Sequence, residues 1–349
     1  VAVFDLTIDT DVQNWAVFGE AEYQITDRLS VLFGARYDSE EFARVVTEDR
    51  TGSDAIALAI LNGDVPGFPA FPPFDQNIET TFEAFLPKGV ITYDWTDDLS
   101  TSFSVQRAYR GGGAGQIGLP PLGTDPRFSY DPEYTTTYEG ALRSVWLGGD
   151  LTVNANVFFT EWEDQQTSFL VAPFNPANTL VVNAAESTLY GAEVDVRARI
   201  SDALDVYFGL GLLNTEFDDF DVTTALGGIP TTGGNFTGNK FPGAPETTVA
   251  AGFNYRHPAG FYVNGNYSYA SEQEGDAANS DVRRLDSRNI VDLIAGYETD
   301  RYRLELFARN LFDEDYKLAT ELAIDDASQL SGFLQGDPQL IGGRLVLTY

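Results

Sequence analysis

The chain has 349 residues, of which 53 are acidic and 21 are basic, giving a formal net charge of −32. Nucleic-acid binding relies on basic side chains that replace counterions along the phosphate backbone, so this composition excludes nucleic acid as an expected partner. Cysteine is absent, which removes disulfides, thiolate catalysis and sulfur-ligated metals. Methionine is absent too, and the chain opens at Val1 without a leader pattern, so we expect a mature protein or a part of a longer one.

The first hydrophobic pattern in the chain predicts a β-hairpin. Apolar residues alternate with other residues over 15–25 and again over 29–37, on either side of the turn Thr26–Arg28. A period of two is the strand period, because successive side chains point to opposite faces of a sheet. Residues 1–9 show the end of a further strand-like pattern.

A long segment without this alternation follows, from Phe42 to Glu79. Four prolines lie between Pro66 and Pro73, and proline lacks the backbone donor that a strand interior needs. We therefore predict a loop over Phe42–Glu79, with a short helical turn near Ala55–Leu61. The apolar run in that turn is far shorter than the roughly 18 residues of a membrane-spanning helix.

The hairpin pattern then repeats, with a long connection after each pair of strands. The predicted pairs are Phe85–Trp95 with Leu99–Arg110, Thr135–Trp146 with Leu151–Glu163, the two strands of the hairpin Tyr190–Leu212, Thr247–Arg256 with Phe261–Ala270, and Asn289–Glu298 with Tyr302–Asn310, before a last strand over Gly343–Tyr349. The predicted loops between them are Gly111–Asp131, Asp164–Ala185, Thr215–Ala244, Ser271–Ser287 and Asp313–Leu340.

The clearest of these hairpins spans Tyr190–Leu212. On both sides of the turn Ser201–Ala203, one face is purely apolar, whereas the other carries charges of both signs and glycines. A water-soluble β-sandwich is compatible with this division. A membrane barrel requires it, with the apolar face toward lipid and the polar face toward the lumen.

Short turns alternate strictly with long connections along the chain, which contains about 13–14 strands of about ten residues each, the length of a tilted membrane-crossing strand. A sandwich or propeller gives no reason for every second connection to be long. The sequence therefore predicts an all-β fold, an antiparallel transmembrane β-barrel with short periplasmic turns and long extracellular loops. Phe42–Glu79 and Gly111–Asp131 are expected outside the cell, and Thr26–Arg28 and Thr299–Arg301 in the periplasm.

Two sets of side chains agree with a barrel. Aromatic residues on the predicted lipid face beside the short turns form an expected interfacial girdle: Tyr93, Trp95, Trp146, Tyr255, Tyr297 and Tyr302. A charge facing lipid is strongly unfavourable, so the charged positions of the opposite face are expected to point to the lumen or to a domain seated in it. These are Glu20, Glu22, Arg36, Lys88, Glu139, Arg143, Glu193, Asp195, Arg197, Arg199, Asp292, Arg303, Glu305, Arg309 and Arg344.

Several stretches resemble the barrel of TonB-dependent outer-membrane receptors. PEYTTTYEGALRSVWLGGDLTVNANVFFTEWEDQQ at 132–166 is similar to a hairpin of that family, and FARNLFDEDY at 307–316 resembles its near-terminal motif. Residues 85–113, 183–206 and 238–255 resemble further family segments in the same order, and Tyr349 matches the family's terminal aromatic residue. The resemblance covers most of residues 80–349.

This resemblance implies an active-transport receptor rather than an enzyme, with no catalytic residues, resident metal or cofactor. Such a receptor binds a scarce nutrient, most commonly a ferric siderophore, and imports it with energy from TonB. Family members combine a plug domain with a barrel of about 22 strands, so residues 1–349 are expected to be the C-terminal portion of a larger barrel without the plug. The implied partners are outer-membrane lipid and lipopolysaccharide, TonB through the plug, and a small metal chelate or other nutrient.

Ligand contacts are expected at the roots of the long loops. The candidate substrate-binding residues are Tyr109, Arg110, Gln116, Phe128, Tyr130, Trp162, Phe169 and Phe174. Aromatic and arginine side chains can stack on, or ion-pair with, an anionic metal chelate. Packing within the loops is the alternative role for each of them.

Other chemistry finds little support in the sequence. The one histidine, His257, stands in a short turn before a proline, and Gly111–Gly113 lacks the lysine and helix of a phosphate-binding loop. The acidic runs Glu216–Asp221 and Asp313–Asp315 lack the full spacing of a calcium loop, although calcium binding stays open. The alternatives to a receptor are a plugless diffusion porin of about fourteen strands and a surface adhesin or structural barrel.

Overall fold

The computed structural model describes residues 2–52, 76–116, 127–170, 179–222, 234–325 and 330–347. Its strands are β1 (Ala2–Thr26), β2 (Leu29–Gly52), β3 (Gln76–Thr96), β4 (Leu99–Arg110), β5 (Gly113–Gln116), β6 (Arg127–Tyr130), β7 (Glu133–Trp146), β8 (Leu151–Leu170), β9 (Thr179–Ser201), β10 (Leu204–Phe220), β11 (Thr247–Arg256), β12 (Phe261–Ala270), β13 (Arg288–Glu298), β14 (Tyr302–Arg309), β15 (Lys317–Asp325), β16 (Leu330–Gln335) and β17 (Leu340–Leu347). Short 3-10 segments lie at Leu147–Gly149 and Asp281–Arg283. Within the described ranges, no helical segment has the length and apolarity needed to cross a bilayer.

Thirteen strands form one antiparallel sheet in the order β1-β2-β3-β4-β7-β8-β9-β10-β11-β12-β13-β14-β17. Two separate hairpins, β5–β6 and β15–β16, belong to the long connections. The all-β antiparallel architecture and the count of about 13 strands are thus confirmed. Residues 2–9 are not a fourteenth strand, because they continue directly into β1 and pair with the far end of β2.

All six short turns of the large sheet lie at one end of the strands, which we call the turn rim, and the long connections lie at the other, the loop rim. Several short turns begin with a hydroxyl residue that accepts a backbone hydrogen bond from the second residue after it. Thr26 Oγ1 accepts from the Arg28 amide at 3.2 Å, and Thr299 Oγ1 accepts from the Arg301 amide at 3.3 Å. This local bond fixes a tight reversal without help from the rest of the fold.

Five predicted loops contain more strand than the sequence indicated. β2 runs through Gly52 and β3 starts at Gln76, so Phe42–Glu79 is strand at both of its ends. Asp164–Ala185 is largely covered by β8 and β9, and Thr215–Ala244 begins as β10. Gly111–Asp131 and Asp313–Leu340 contain the two small hairpins. Ladder hydrogen bonds to a neighbouring strand compensate for weak local patterning, which is why the strands continue. The predicted helical turn Ala55–Leu61 lies outside the described residues.

Pairing register shows that the two faces predicted from alternation are real. Leu210 is opposite Val194 on one side and Val249 on the other, so a continuous apolar face crosses β9, β10 and β11. On the opposite, polar face, Lys88 Nζ lies 3.5 Å from Glu20 Oε2, and Tyr207 donates to Asn266 Oδ1 at 2.6 Å. We refer to these as the apolar face and the polar face.

Aromatic side chains of the apolar face gather near the turn rim, as the sequence predicted. The Tyr93 and Trp95 ring centroids are 4.7 Å apart, and Tyr297 lies 6.2 Å from Tyr302. Trp95 and Trp146 are exposed. An exposed indole with an apolar body and a polar N–H is the side chain that favours a membrane–water boundary.

We expect the turn rim and the loop rim to lie on opposite sides of the membrane. Asp300 is exposed in a short turn, and Asp281 is exposed in the connection between β12 and β13. Residues 1–349 contain no native cysteine that would compete with single cysteines at these two positions. On intact cells, an impermeant thiol reagent is expected to label Asp281→Cys and not Asp300→Cys, while both should be labelled after lysis. Labelling only at Asp300→Cys on intact cells would invert the topology.

Candidate functional site

A groove of about 730 Å³ opens on the polar face of β1–β4, between the middle of the strands and the loop rim. We call it the polar groove. Its main lining side chains are Asn14, Phe18, Arg36, Asp38, Glu40 and Tyr109, with Glu20 and Lys88 at its turn-rim end. The groove exists because even-numbered positions of β1 and β2 share one face and carry polar or aromatic side chains there.

The base of the polar groove is a buried carboxylate. Asp38 is 1% exposed. Its Oδ1 accepts from Arg36 Nη2 at 2.8 Å and from Asn14 Nδ2 at 3.1 Å, and its Oδ2 accepts from Arg36 Nε. The two-pronged contact holds the guanidinium flat, 6.0 Å from the centroid of the Phe18 ring. Arg36 therefore forms a fixed part of the groove wall, and Asp38 compensates its positive charge.

The β5–β6 hairpin lies against the polar face at the loop-rim end of the groove. Arg44 Nη1 donates to the Ala114 carbonyl oxygen at 2.8 Å, which ties β5 to β2. Gly112 lies so close to the Phe82 ring and the Tyr130 carbonyl that a Cβ atom would collide with both. Glycine at this position lets the hairpin pack flat on the sheet.

Two amide side chains hold the other end of the hairpin. Gln166 Nε2 donates to the carbonyl oxygens of Gly111 at 2.9 Å and Asp131 at 3.0 Å. Asn183 bonds both the amide and the carbonyl of Asp131, at 2.6 and 2.8 Å. The connection between β4 and β7 is therefore anchored to β8 and β9 as well as to β2.

The structure brings several predicted substrate-binding residues to this region. Tyr109 lines the polar groove. Arg110 Nε lies 2.8 Å from Glu133 Oε1, so its charge is paired. Phe128 and Tyr130 are neighbours on β6, with ring centroids 6.4 Å apart.

The remaining candidates lie elsewhere. Trp162 packs on Phe241, at 6.1 Å between centroids. Gln116 pairs with Arg127 in the hairpin and Phe169 lies in β8, but their side chains fall outside the described part of the structure, as does all of Phe174.

Trp162 belongs to a second, apolar feature at the loop rim. Phe217 and Phe220 are buried there, and Phe236 and Phe241 from the connection between β10 and β11 pack on them. This outer aromatic cluster fixes that connection to the polar face. The edge-to-face contact of Trp162 with Phe241 favours the packing role for Trp162 over a ligand contact.

Two hydrogen bonds between Asn279 and the backbone of Lys240 join two neighbouring connections at the loop rim. Asn279 Oδ1 accepts from the Lys240 amide at 2.8 Å, and its Nδ2 donates to the Lys240 carbonyl at 2.9 Å. In the same region, hydrogen bonding to Glu274 raises the pKa of the Arg284 guanidinium, and hydrogen bonding to Glu246 raises the pKa of the Lys240 ammonium. Bases in these connections are thus held charged and paired.

Near the turn rim, the polar face carries a second charged group around Glu305, which is 6% exposed. The Tyr262 hydroxyl donates to Glu305 Oε1 at 2.6 Å, and Arg344 pairs with Oε2. Arg303 Nε lies 3.7 Å from Glu305 Oε1, and Arg256 Nη1 lies 3.3 Å from Glu298 Oε2.

The other predicted lumen-facing charges show varied partners. Arg197 pairs with Asp195 at 3.4 Å, and Arg199 with Asp150 at 3.5 Å. Arg143 donates to the backbone carbonyls of Leu142 and Ala155. Glu139 lies opposite Ser104, and Arg309, which is exposed, lies opposite Leu340. What these residues face in the complete protein stays a prediction.

Asn14, Asp38 and Glu40 are site residues that the sequence reasoning missed. The alternation already places Asn14 on the same strand face as Glu20, and Asp38 on the same face as Arg36. All three residues were missed because they lie just outside the predicted strands, which covered residues 15–25 and 29–37. Among the described residues, no three metal-ligating side chains converge, and this holds for the acidic run at Glu216–Asp221.

Comparisons with solved structures find the same fold in outer-membrane receptors. The ferric yersiniabactin uptake receptor FyuA from Yersinia pestis superposes with a TM-score of 0.76 at 17% identity, over 98% of this chain and 46% of that one. The siderophore receptor PiuA from Acinetobacter baumannii gives 0.68 at 18% identity, over 97% and 44%. The copper transporter OprC gives 0.65 at 16% identity, over 97% and 48%.

The chain thus spans about half the length of these proteins. The family model described as TonB dependent receptor-like, beta-barrel matches residues 3–311. Homologues of this kind are β-barrels of the outer membrane of Gram-negative bacteria, which gives the location of this chain. From the sheet, the division of its faces and the family match, the chain belongs to the β-barrel family of TonB-dependent receptors.

Proposed function

We propose that this chain is part of an outer-membrane receptor that binds a scarce nutrient at the loop rim and imports it with energy supplied through TonB. The substrate that the family resemblance favours is a ferric siderophore. The observation that carries the proposal is the match of residues 3–311 to the receptor barrel family. The anchored hairpin and the polar groove supply a ligand-accessible surface at the rim where such a receptor would meet its substrate.

We further propose that residues 1–349 form the C-terminal portion of a larger barrel. In the described sheet, the outer edges of β1 and β17 are not paired with another strand. Each backbone N–H or C=O group left without a hydrogen bond in lipid costs roughly several kcal/mol of free energy. A sheet that spans a membrane must therefore close on itself. Additional strands of a longer chain would close it, which agrees with the coverage of about half of each solved relative.

The polar face suits a seated plug domain. Its charges are closely mixed, as in the pairs Glu20–Lys88 and Arg197–Asp195. Exposed pairs of this kind are individually weak, about 0–1 kcal/mol, because water replaces either partner readily. A surface of many weak polar contacts can hold a domain and still release part of it when force is applied through TonB.

The test is uptake by the full-length receptor in living cells. We expect a strain lacking the receptor to lose accumulation of radioactive iron from at least one chelate in a panel of ferric siderophores. A plasmid copy should restore it only when TonB is present. Uptake that persists without TonB would favour a diffusion porin, and no receptor-dependent uptake of any nutrient tested would favour an adhesin or structural barrel.

A further inference from the structure

The bases around the polar groove are already committed to partners within the protein. Arg36 is held by both oxygens of Asp38, and Lys88 lies 3.5 Å from Glu20. Above the groove, Arg44 donates to a neutral backbone carbonyl oxygen, which occupies one edge of its guanidinium without cancelling the charge. The charges of Arg36 and Lys88, which line the groove, are therefore compensated within the protein.

Glu40 is different, because no basic side chain among the described residues pairs with it. Its carboxylate lies against Gly111 and lines the groove together with Tyr109. On the groove wall, the Phe18 ring is 75% exposed. An unpaired carboxylate can accept a charge-assisted hydrogen bond from an organic cation, and an exposed aromatic ring further along the same groove can cover the apolar part of such a ligand.

The long connections at the loop rim are acidic as well. None of the long connections contains more basic than acidic residues. Among the described bases there, Arg284 lies 3.0 Å from Asp281 and 3.2 Å from Glu274, and Arg107 lies 3.4 Å from Glu163. An acidic entrance attracts cationic ligands and repels anionic ones before contact.

We propose that the polar groove binds a cationic ligand, a metal chelate that carries a free organic ammonium group, with Glu40 as the acceptor for that group. This inference rests on the proposed receptor function and specifies its substrate class. It replaces the anionic chelate expected from the sequence, because the arginines that would bind an anion are paired. The aromatic rings of Phe18 and Tyr109 would then contact the apolar part of the ligand.

The test uses purified full-length receptor and three ferric chelates. Ferrioxamine B is a tris-hydroxamate with one free ammonium group, its N-acetylated form is uncharged, and a tris-catecholate complex is trianionic. We expect the cationic chelate to bind roughly tenfold more tightly than its acetylated form, the gain typical of one charge-assisted hydrogen bond. Glu40→Gln should remove this preference. Equilibrium binding by quenching of intrinsic fluorescence gives the affinities, and unchanged heat-modifiability on gels shows that the variant is folded.

Glu22→Gln is the matched control. It makes the same change of charge on the polar face of the sheet, but on β1 and outside the groove lining. It should retain the preference. Equal or tighter binding of the trianionic chelate, a preference that survives Glu40→Gln, or no saturable binding of the cationic chelate would each overturn the inference. TonB-dependent uptake of an anionic or uncharged chelate would in those cases leave the receptor function standing.

Discussion

Replacing Leu210 with arginine is expected to block most of the assembly of the barrel. Leu210 lies near the middle of β10 on the apolar face, between Val194 of β9 and Val249 of β11. We propose that this face contacts lipid. An arginine near the bilayer midplane costs about 2–4 kcal/mol in an outer-membrane barrel, which is a large part of the stability of an ordinary domain. The folded fraction is measured by heat-modifiability on gels after refolding into vesicles.

Arg197→Leu provides the comparison for this experiment. Arg197 is on the polar face of the adjacent strand, opposite Tyr207, and pairs with Asp195 at 3.4 Å. Both side chains of that pair are well exposed, so its loss should change stability by less than about 1 kcal/mol. Equal folded fractions for the two variants would contradict the assignment of the faces.

Replacing Glu305 with leucine is expected to destabilise the sheet near the turn rim. The substitution leaves the buried Tyr262 hydroxyl without its acceptor and leaves Arg344 without its carboxylate. Breaking a fully buried ion pair costs about 3–5 kcal/mol; because more than half of the Arg344 side chain is exposed, we expect about 2–3 kcal/mol here. Thermal unfolding of the full-length protein, followed by loss of the heat-modifiable band, measures the change.

Glu298→Gln is the control on the same face. Glu298 pairs with Arg256 at 3.3 Å and with Arg303 at 3.9 Å, but it is substantially exposed. Its replacement should cost about 0–1 kcal/mol, since water solvates both arginines readily. If Glu305→Leu unfolds at the same temperature as Glu298→Gln, the buried carboxylate does not stabilise the sheet in the complete receptor.

The sequence by itself determined the fold class, the hairpins and the two faces. Alternation such as that of Leu204–Leu212 sets which side chains share a face, because the strand period is two and does not depend on the neighbouring strand. The short turns are equally local, since a residue such as Thr26 or Thr299 bonds a backbone amide two residues later. The family motifs added the expectation that the chain belongs to the receptor barrel family, which the family match confirms.

Only the tertiary structure decided where the strands end and which residues form the groove. Phe42–Gly52 has weak local signals, yet it forms strand because β1 pairs with it along its whole length and β3 pairs with it as far as Val46. The pairing of Asp38 with Asn14, 24 residues away, and the tie from Arg44 to Ala114, 70 residues away, depend on strand register and on how a connection folds back. A local sequence pattern holds no information about such contacts. The charge left free in the groove is therefore a property of the assembled sheet.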